Sequence, residues 1–285
     1  MPSLPALFID SSTVVTLYRL HTLLDGACRS ACDVDLGTCA ALGAVMAHPQ
    51  GFDVRKAREA YGHSGENTAF EQDLKELELV KVVRSSRDRR ALALQATPKG
   101  RERMVLAHRV LGACLVEEHP GLTEQSFDQL VKLSCDYATI GGFPPSSEGL
   151  FPAPVLRDLA AYVHRLELVA ARFGMASAQI ALLLDRCGGV TSGAGVATAG
   201  SGSQTHRENT LGLAPWVLDA EIGLLRDRGL LSAAGSKECT EAAVQRIAEF
   251  TQRLNMSLAP WWQASNTRLQ AAAVKLLQYV LYLFS

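Results

Sequence analysis

The chain has 285 residues, 48% of them hydrophobic and 20% charged, which is the make-up of a globular protein long enough for two domains and excludes a disordered polymer. Its formal net charge of −1 means that any attraction to nucleic acid must come from local patches and not from the chain as a whole. Seven cysteines, an odd number in a chain of this size, argue against a disulfide framework and predict a reducing, cytoplasmic setting. The opening Met1-Pro2-Ser3-Leu4-Pro5 has neither the basic start nor the apolar core of a secretory leader. The most apolar stretch, near the C-terminus, carries Arg268, Lys275 and Gln278, so no membrane partner is expected.

From Ile9 to Cys32 the pattern is helical, with Val14, Leu17, Leu20 and Leu24 on one stripe. Asp35 is placed to cap a small, apolar and therefore buried helix from Leu36 to Met46. Asp53 is placed to cap another from Val54 to Tyr61, closed by Gly62. From Glu66 to Val80 the apolar residues Phe70, Leu74 and Leu77 point inward. Ser64, Asn67, Thr68, Gln72 and Lys75 are left on the outward side, where amides can pair with adenine and Lys with guanine or phosphate. A solvated helix face fits the same residues, and Glu66, Glu71, Asp73, Glu76 and Glu78 make the segment acidic for a DNA reader.

Val80 to Arg84, a polar turn, and Ala91 to Leu94 then predict a β-hairpin. Arg84, Arg87, Arg89 and Arg90 crowd its tip around a single Asp88. Four mutually repelling guanidiniums suit a phosphate backbone or a narrow minor groove, with Asp88 orienting Arg90. Thr97 and Pro98 read as the N-cap and first residue of a long helix reaching Glu118, which Pro120-Gly121 breaks. The interval from Lys81 to Arg109 is the most basic of the chain, its nine Lys and Arg residues facing only Asp88 and Glu102.

The order helix, hairpin, helix, with D-x-R in the hairpin (Asp88, Arg90) and T-x-x-G at the next helix start (Thr97, Gly100), resembles the MarR family of winged helix-turn-helix transcription regulators. The resemblance implies a mainly α fold with small β wing hairpins, dimerisation through terminal helices, and double-stranded DNA as partner. The helix goes into the major groove and the wing lies beside it. It also implies release by a signal. A small apolar ligand between the first, second and fifth helices would touch Tyr18, His21 and Met46. Family members include thiol-based oxidant sensors, which brings forward Cys28, Cys32 and Cys39; a spacing of four puts the first two on one helix face. A thiol switch needs a lowered pKa and access, for which Arg29 is the nearby cation, while buried apolar packing is the commoner fate of cysteine.

After a helix from Thr123 to Tyr137, Gly141 to Gly149 reads as a linker. The expected domains are thus 1–140, a linker at 141–151, and 152–285. The second half repeats the pattern faintly, with helices from Pro154 to Phe173, Ala176 to Cys187 and Trp216 to Leu231, then Glu241 to Leu254 and Trp261 to Phe284. The line-up of Leu230-Leu231 with Leu79-Val80 suggests duplication, although Ser232 to Cys239 are too few for a full wing and lack D-x-R. The chain is therefore expected to be an intrachain pseudo-dimer of two winged-helix domains, the second degenerate and open to further homodimer formation. A regulator that lost its DNA-reading surface and serves as a ligand sensor or interaction module is the rival expectation. The glycine-rich run from Gly188 to Gly202 lacks G-K-[ST], and no Ser/His/Asp set, carboxylate pair or zinc spacing stands out. No enzyme, cofactor, metal or catalytic residue is expected.

Overall fold

The computed structural model describes residues 4–5, 8–61, 69–85, 88, 90–119, 121–143, 151–191, 211, 213–232 and 239–284. Among these the chain is mainly helical, with eleven α-helices and one small antiparallel sheet. It divides into two compact units that do not follow the chain order. One takes Leu23–Ala161 with Asn266–Phe284, the other Met1–Thr22 with Tyr162–Ser265.

The first of these holds the sheet. Helix α1 (Ser11–Cys32) ends at Asp33, which is turned into the left-handed region (φ 60°). Asp25 then reaches forward to accept the Leu36 N–H at 2.7 Å, and Asp35 accepts that of Thr38, so the first donors of α2 (Leu36–Met46) are satisfied. Eight residues of α2 are buried, which makes it the centre about which α3 (Val54–Tyr61), α4 (Ala69–Glu76) and α5 (Pro98–Glu118) pack. Strands β2 (Val80–Arg84) and β3 (Leu92–Ala96) form the hairpin, in register from Val80↔Ala96 to Arg84↔Leu92. The second strand starts and ends later than the apolar run Ala91 to Leu94 suggests. A short β1 (Phe52–Asp53) that the sequence pattern does not announce pairs with β3, giving the order β1-β3-β2. Helix α6 (Glu124–Ile140), capped by Thr123, packs along α11 (Thr267–Phe284).

In the other unit, the core gathers Val14 and Tyr18 from the start of α1 with Leu166 and Val169 of α7 (Ala153–Arg172) and Ile180 and Leu183 of α8 (Ser177–Thr191). Leu218 and Leu225 of α9 (Pro215–Asp227) and Ile247, Phe250 and Leu254 of α10 (Glu241–Ala264) complete it. In the place that the hairpin takes in the other unit, the described residues of this one show the bridge Leu231↔Cys239. Helix α10 runs on through Pro260, where the sequence suggests two helices, and the break falls at Ser265-Asn266 instead. A proline removes one N–H, not a whole turn; Arg165 supports the weakened ladder by donating from Nη1 to the Ser257 carbonyl at 3.0 Å.

The cysteine count predicts no disulfide, and here the structure differs: Cys187 and Cys239 are bonded, with Cα atoms 5.8 Å apart, and Cys28, Cys32, Cys39, Cys114 and Cys135 are free. The pairing depends on the end of α8 meeting the residue before the α10 cap, which no spacing rule reveals. Among the described residues no single helix is long and apolar enough to cross a membrane.

One local pattern occurs in both units. Leu79 N–H returns to the Leu74 carbonyl at 2.8 Å and Leu230 N–H to that of Leu225 at 2.9 Å. The residue before each leucine, Glu78 or Gly229, has positive φ (58° and 68°). The Thr97 hydroxyl donates to the Glu78 and Leu79 carbonyls and caps α5. The Thr240 hydroxyl does the same to Gly229 and Leu230 and caps α10. At Gly100 the fit is tightest, since a Cβ there would lie 2.1 Å from the Leu79 carbonyl oxygen. Gly100→Ala is expected to destabilise the hairpin-bearing unit by about 2–3 kcal/mol, as overpacking against backbone does, read as a lowered urea midpoint. Cys187 and Cys239 are 52 residues apart, so reduction is expected to cost the other unit about 4 kcal/mol on the chain-entropy model, seen by comparing melts with and without reductant.

Candidate nucleic-acid interface

Helix α4 is held by a carboxylate. Glu71, whose side chain is only 5% exposed, takes both Nε and Nη2 of Arg58 on α3, at 2.9 and 2.7 Å, and also the Lys75 ammonium one turn along. Burial pushes the Glu71 carboxyl up, but the hydrogen bonds and charges of Lys75 and Arg58 outweigh it and hold the group below its ordinary 4.5. Gln72 is likewise engaged, donating to Glu76 at 2.8 Å. Two of the outward candidates, Gln72 and Lys75, are thus tied within α4 in the unbound protein. Ser64, Asn67 and Thr68 lie outside the described residues.

The hairpin is built differently. At its tip the Asp88 carboxylate accepts the backbone N–H of Arg90 at 2.9 Å, while the Asp88 carbonyl accepts that of Ala91 and the Ala91 carbonyl that of Ser85. Asp88 therefore organises the turn through the main chain of Arg90, where a bond to its guanidinium is the expectation from sequence. Arg84 and Arg90 are exposed, as is Lys81, so charge along β2 and the turn faces solvent. Arg87 and Arg89 lie outside the described residues. The following basic residues serve structure: Lys99 pairs with Glu78 at 3.4 Å, Arg101 donates to the Ala96 carbonyl at 2.9 Å, and Arg103 to that of Ala31 at 3.0 Å.

In the other unit the helix in the place of α4 is α9. Its Glu221 accepts from Gln179 on α8 at 2.6 Å, and Arg228, just after it, donates to the Gly174 carbonyl at 2.7 Å. Trp216 and Leu224 are exposed on it. Ala233 to Glu238, where a second wing would stand, lie outside the described residues, as do Pro144 to Leu150 of the linker and Ser192 to Gly202 of the glycine-rich run.

The proposed ligand trio is not gathered in one unit: Tyr18 and His21 belong to one and Met46 to the other. Tyr18 is buried, and burial raises its phenol against the opposing hydrogen bonds to Ser177 and Thr22. Cys28, Cys32 and Cys39 do come together, all buried in the unit that carries the hairpin. Hydrogen bonds with Cys28 and Cys32, with burial, push Cys39 well up; the bond to Cys39 draws Cys32 down, and its sulfur also meets the Arg103 carbonyl at 3.3 Å. No cluster of His, Cys, Asp and Glu among the described residues could hold a metal ion.

Sequence reasoning did not single out Arg58. Its position in a short helix with an exposed polar face carries no signal, because its role depends on α3 and α4 meeting. No protein-family model matches the chain, and no curated protein does.

The Glu71 network has a pH signature. A carboxyl held below 4.5 when folded contributes stability that is complete above pH 4.5 and is lost as the pH falls through the folded value. Glu71→Gln should lower stability by about 1 kcal/mol at pH 7, little because Arg58 and Lys75 are half-exposed and can re-solvate, and should flatten the acid limb of a stability–pH curve.

Proposed function

We propose that this chain is a DNA-binding transcription regulator of the MarR type, acting as a repressor, in which two winged-helix copies are fused and the second has lost its wing. The observation that carries this reading is the exposed basic hairpin. Arg84 and Arg90 stand exposed on a ribbon that follows α4 directly, and among the described residues no ion pair engages either side chain. The sheet order β1-β3-β2 behind α2, α3 and α4 supports it, being the arrangement a winged helix needs.

The twice-occurring junction of Leu74 to Thr97 and Leu225 to Thr240 supports a duplication. Unit membership supports a pseudo-dimer: the start of α1 lies in the core with α8 and α10, while the start of α7 lies in the unit of α2 and α5. A reciprocal exchange of first helices is what a fused dimer would have. Phosphate contacts by Arg84 and Arg90 would position the protein, and Gln72 and Lys75 would reach bases only after leaving Glu76 and Glu71. That last requirement favours a second reading, a sensor or interaction module that keeps the fold without reading DNA.

Binding of the full chain to duplexes from its own upstream region, across a salt series and beside Arg84→Ala/Arg90→Ala, separates the two. The regulator reading expects tighter wild-type binding and a salt slope shallower in the variant by about 0.9 for each phosphate it no longer neutralises. Equal, weak binding by both proteins would leave only the sensor.

A further inference from the structure

A groove of about 600 Å³ runs between α7 and α10, on one face of the unit without the hairpin. Its floor is apolar, with Val169 buried and Leu168 and Met256 exposed to 49% and 69%. Three arginines, Arg165, Arg172 and Arg253, line it, and no carboxylate does. Two of the guanidiniums are fixed by the fold: Arg165 by the Ser257 carbonyl at 3.0 Å, and Arg253 by lying 5.6 Å over the Phe173 ring.

In a chain of net charge −1 such a grouping is a local excess. Apolar side chains gathered in a groove and rimmed by fixed cations mark an interaction site, where the same residues scattered singly would not. The spacing suits one kind of occupant. Leu168 and Met256 stand on two neighbouring helices, and a third helix lying between them can seat apolar side chains at positions i, i+3 or i+4, and i+7. Methionine, unbranched and polarizable, adapts to such anchors. Guanidiniums along both rims pair best with carboxylates flanking the anchors, which also rejects basic segments.

We propose that the α7–α10 groove docks an amphipathic, acidic helical segment of a partner protein. Leu168, Val169 and Met256 would receive its apolar face, and Arg165, Arg172 and Arg253 its flanking Glu or Asp residues. This site is independent of the hairpin and stands whether or not the chain binds DNA.

The test uses the full chain and two labelled synthetic peptides, each about four turns of helix, with identical leucine faces and flanks of either glutamate or lysine. Fluorescence anisotropy should show the glutamate peptide binding with Kd on the order of 10 µM, as suits a small interface. The lysine peptide should bind at least tenfold more weakly, and raised salt should weaken the glutamate complex. Arg172→Glu, at an exposed side chain with no hydrogen bond or ion pair among the described residues, should reduce glutamate-peptide affinity at least tenfold while lowering the circular dichroism melt only slightly, through the lost cation in the last turn of α7; Met256→Ala should reduce the affinity separately. The proposal is overturned if the glutamate peptide fails to bind, if the lysine peptide binds equally well, or if Arg172→Glu and Met256→Ala both leave its affinity unchanged.

Discussion

The hairpin depends on how α5 begins. The Leu79 carbonyl receives the Thr97 N–H at 3.0 Å and the Thr97 hydroxyl at 3.2 Å. That pair of bonds closes the ladder at Val80↔Ala96 and fixes which residues reach the tip. Gly100 makes the approach feasible, because a side chain there has no space before the same carbonyl. The other unit solves the same problem more loosely. Its Thr240 N–H meets the Leu230 carbonyl at 3.3 Å, and the residue three beyond the cap is Ala243, fully buried. There the position three beyond the cap carries a methyl group, and Leu231 pairs with Cys239. The closer of the two seats is the one preceded by strands of five residues each, β2 and β3.

The helices are legible in the sequence wherever a cap and a periodic apolar face agree. Asp35, Thr97, Thr123 and Thr240 each accept the N–H three residues on, and α2 and α5 have the limits that their sequences predict. What escapes is set by encounters between distant segments. Phe52-Asp53 reads as a helix approach until β3 lies beside it. Proline at 260 marks a helix boundary in the sequence and is absorbed in the structure, where α10 continues to Ala264 and Arg165 from another helix donates to the Ser257 carbonyl beside the proline turn. The disulfide joins Cys187 and Cys239 through the same kind of encounter. At the candidate interface, the basic hairpin is legible as composition, whereas the capture of Lys75 by Glu71 is not, since an outward lysine and one turned on a neighbouring carboxylate have the same sequence periodicity.

That capture weighs on function. A buried carboxylate must be paired, and Glu71 is paired with the one lysine that α4 offers and an arginine from α3. The arrangement joins α3 to α4 and leaves Arg58 and Lys75, both partly exposed, turned onto one carboxylate. The hairpin turn is closed by Asp88 through the main chain of Arg90, and the Arg90 side chain is exposed. In the regulator proposed above, those exposed arginines would take phosphates, which position the protein, while few side chains of α4 would read bases.

Helix α1 is continuous over Ser11–Cys32, yet its first turns belong to one compact unit and its last to the other. Helix α7 is divided likewise between Ala161 and Tyr162. Val14 and Tyr18 fill a core whose other members begin at Tyr162, and Asp158 bonds the buried Tyr137 in the unit that carries the sheet. Neither stretch of chain on either side of residue 150 therefore contains its own complete core. Cutting the chain there removes apolar residues from both units at once, so the two are expected to gain and lose order together. A change in either α1 or α7 falls on a helix whose residues belong to both units. Two independent domains on a flexible linker would lack that coupling.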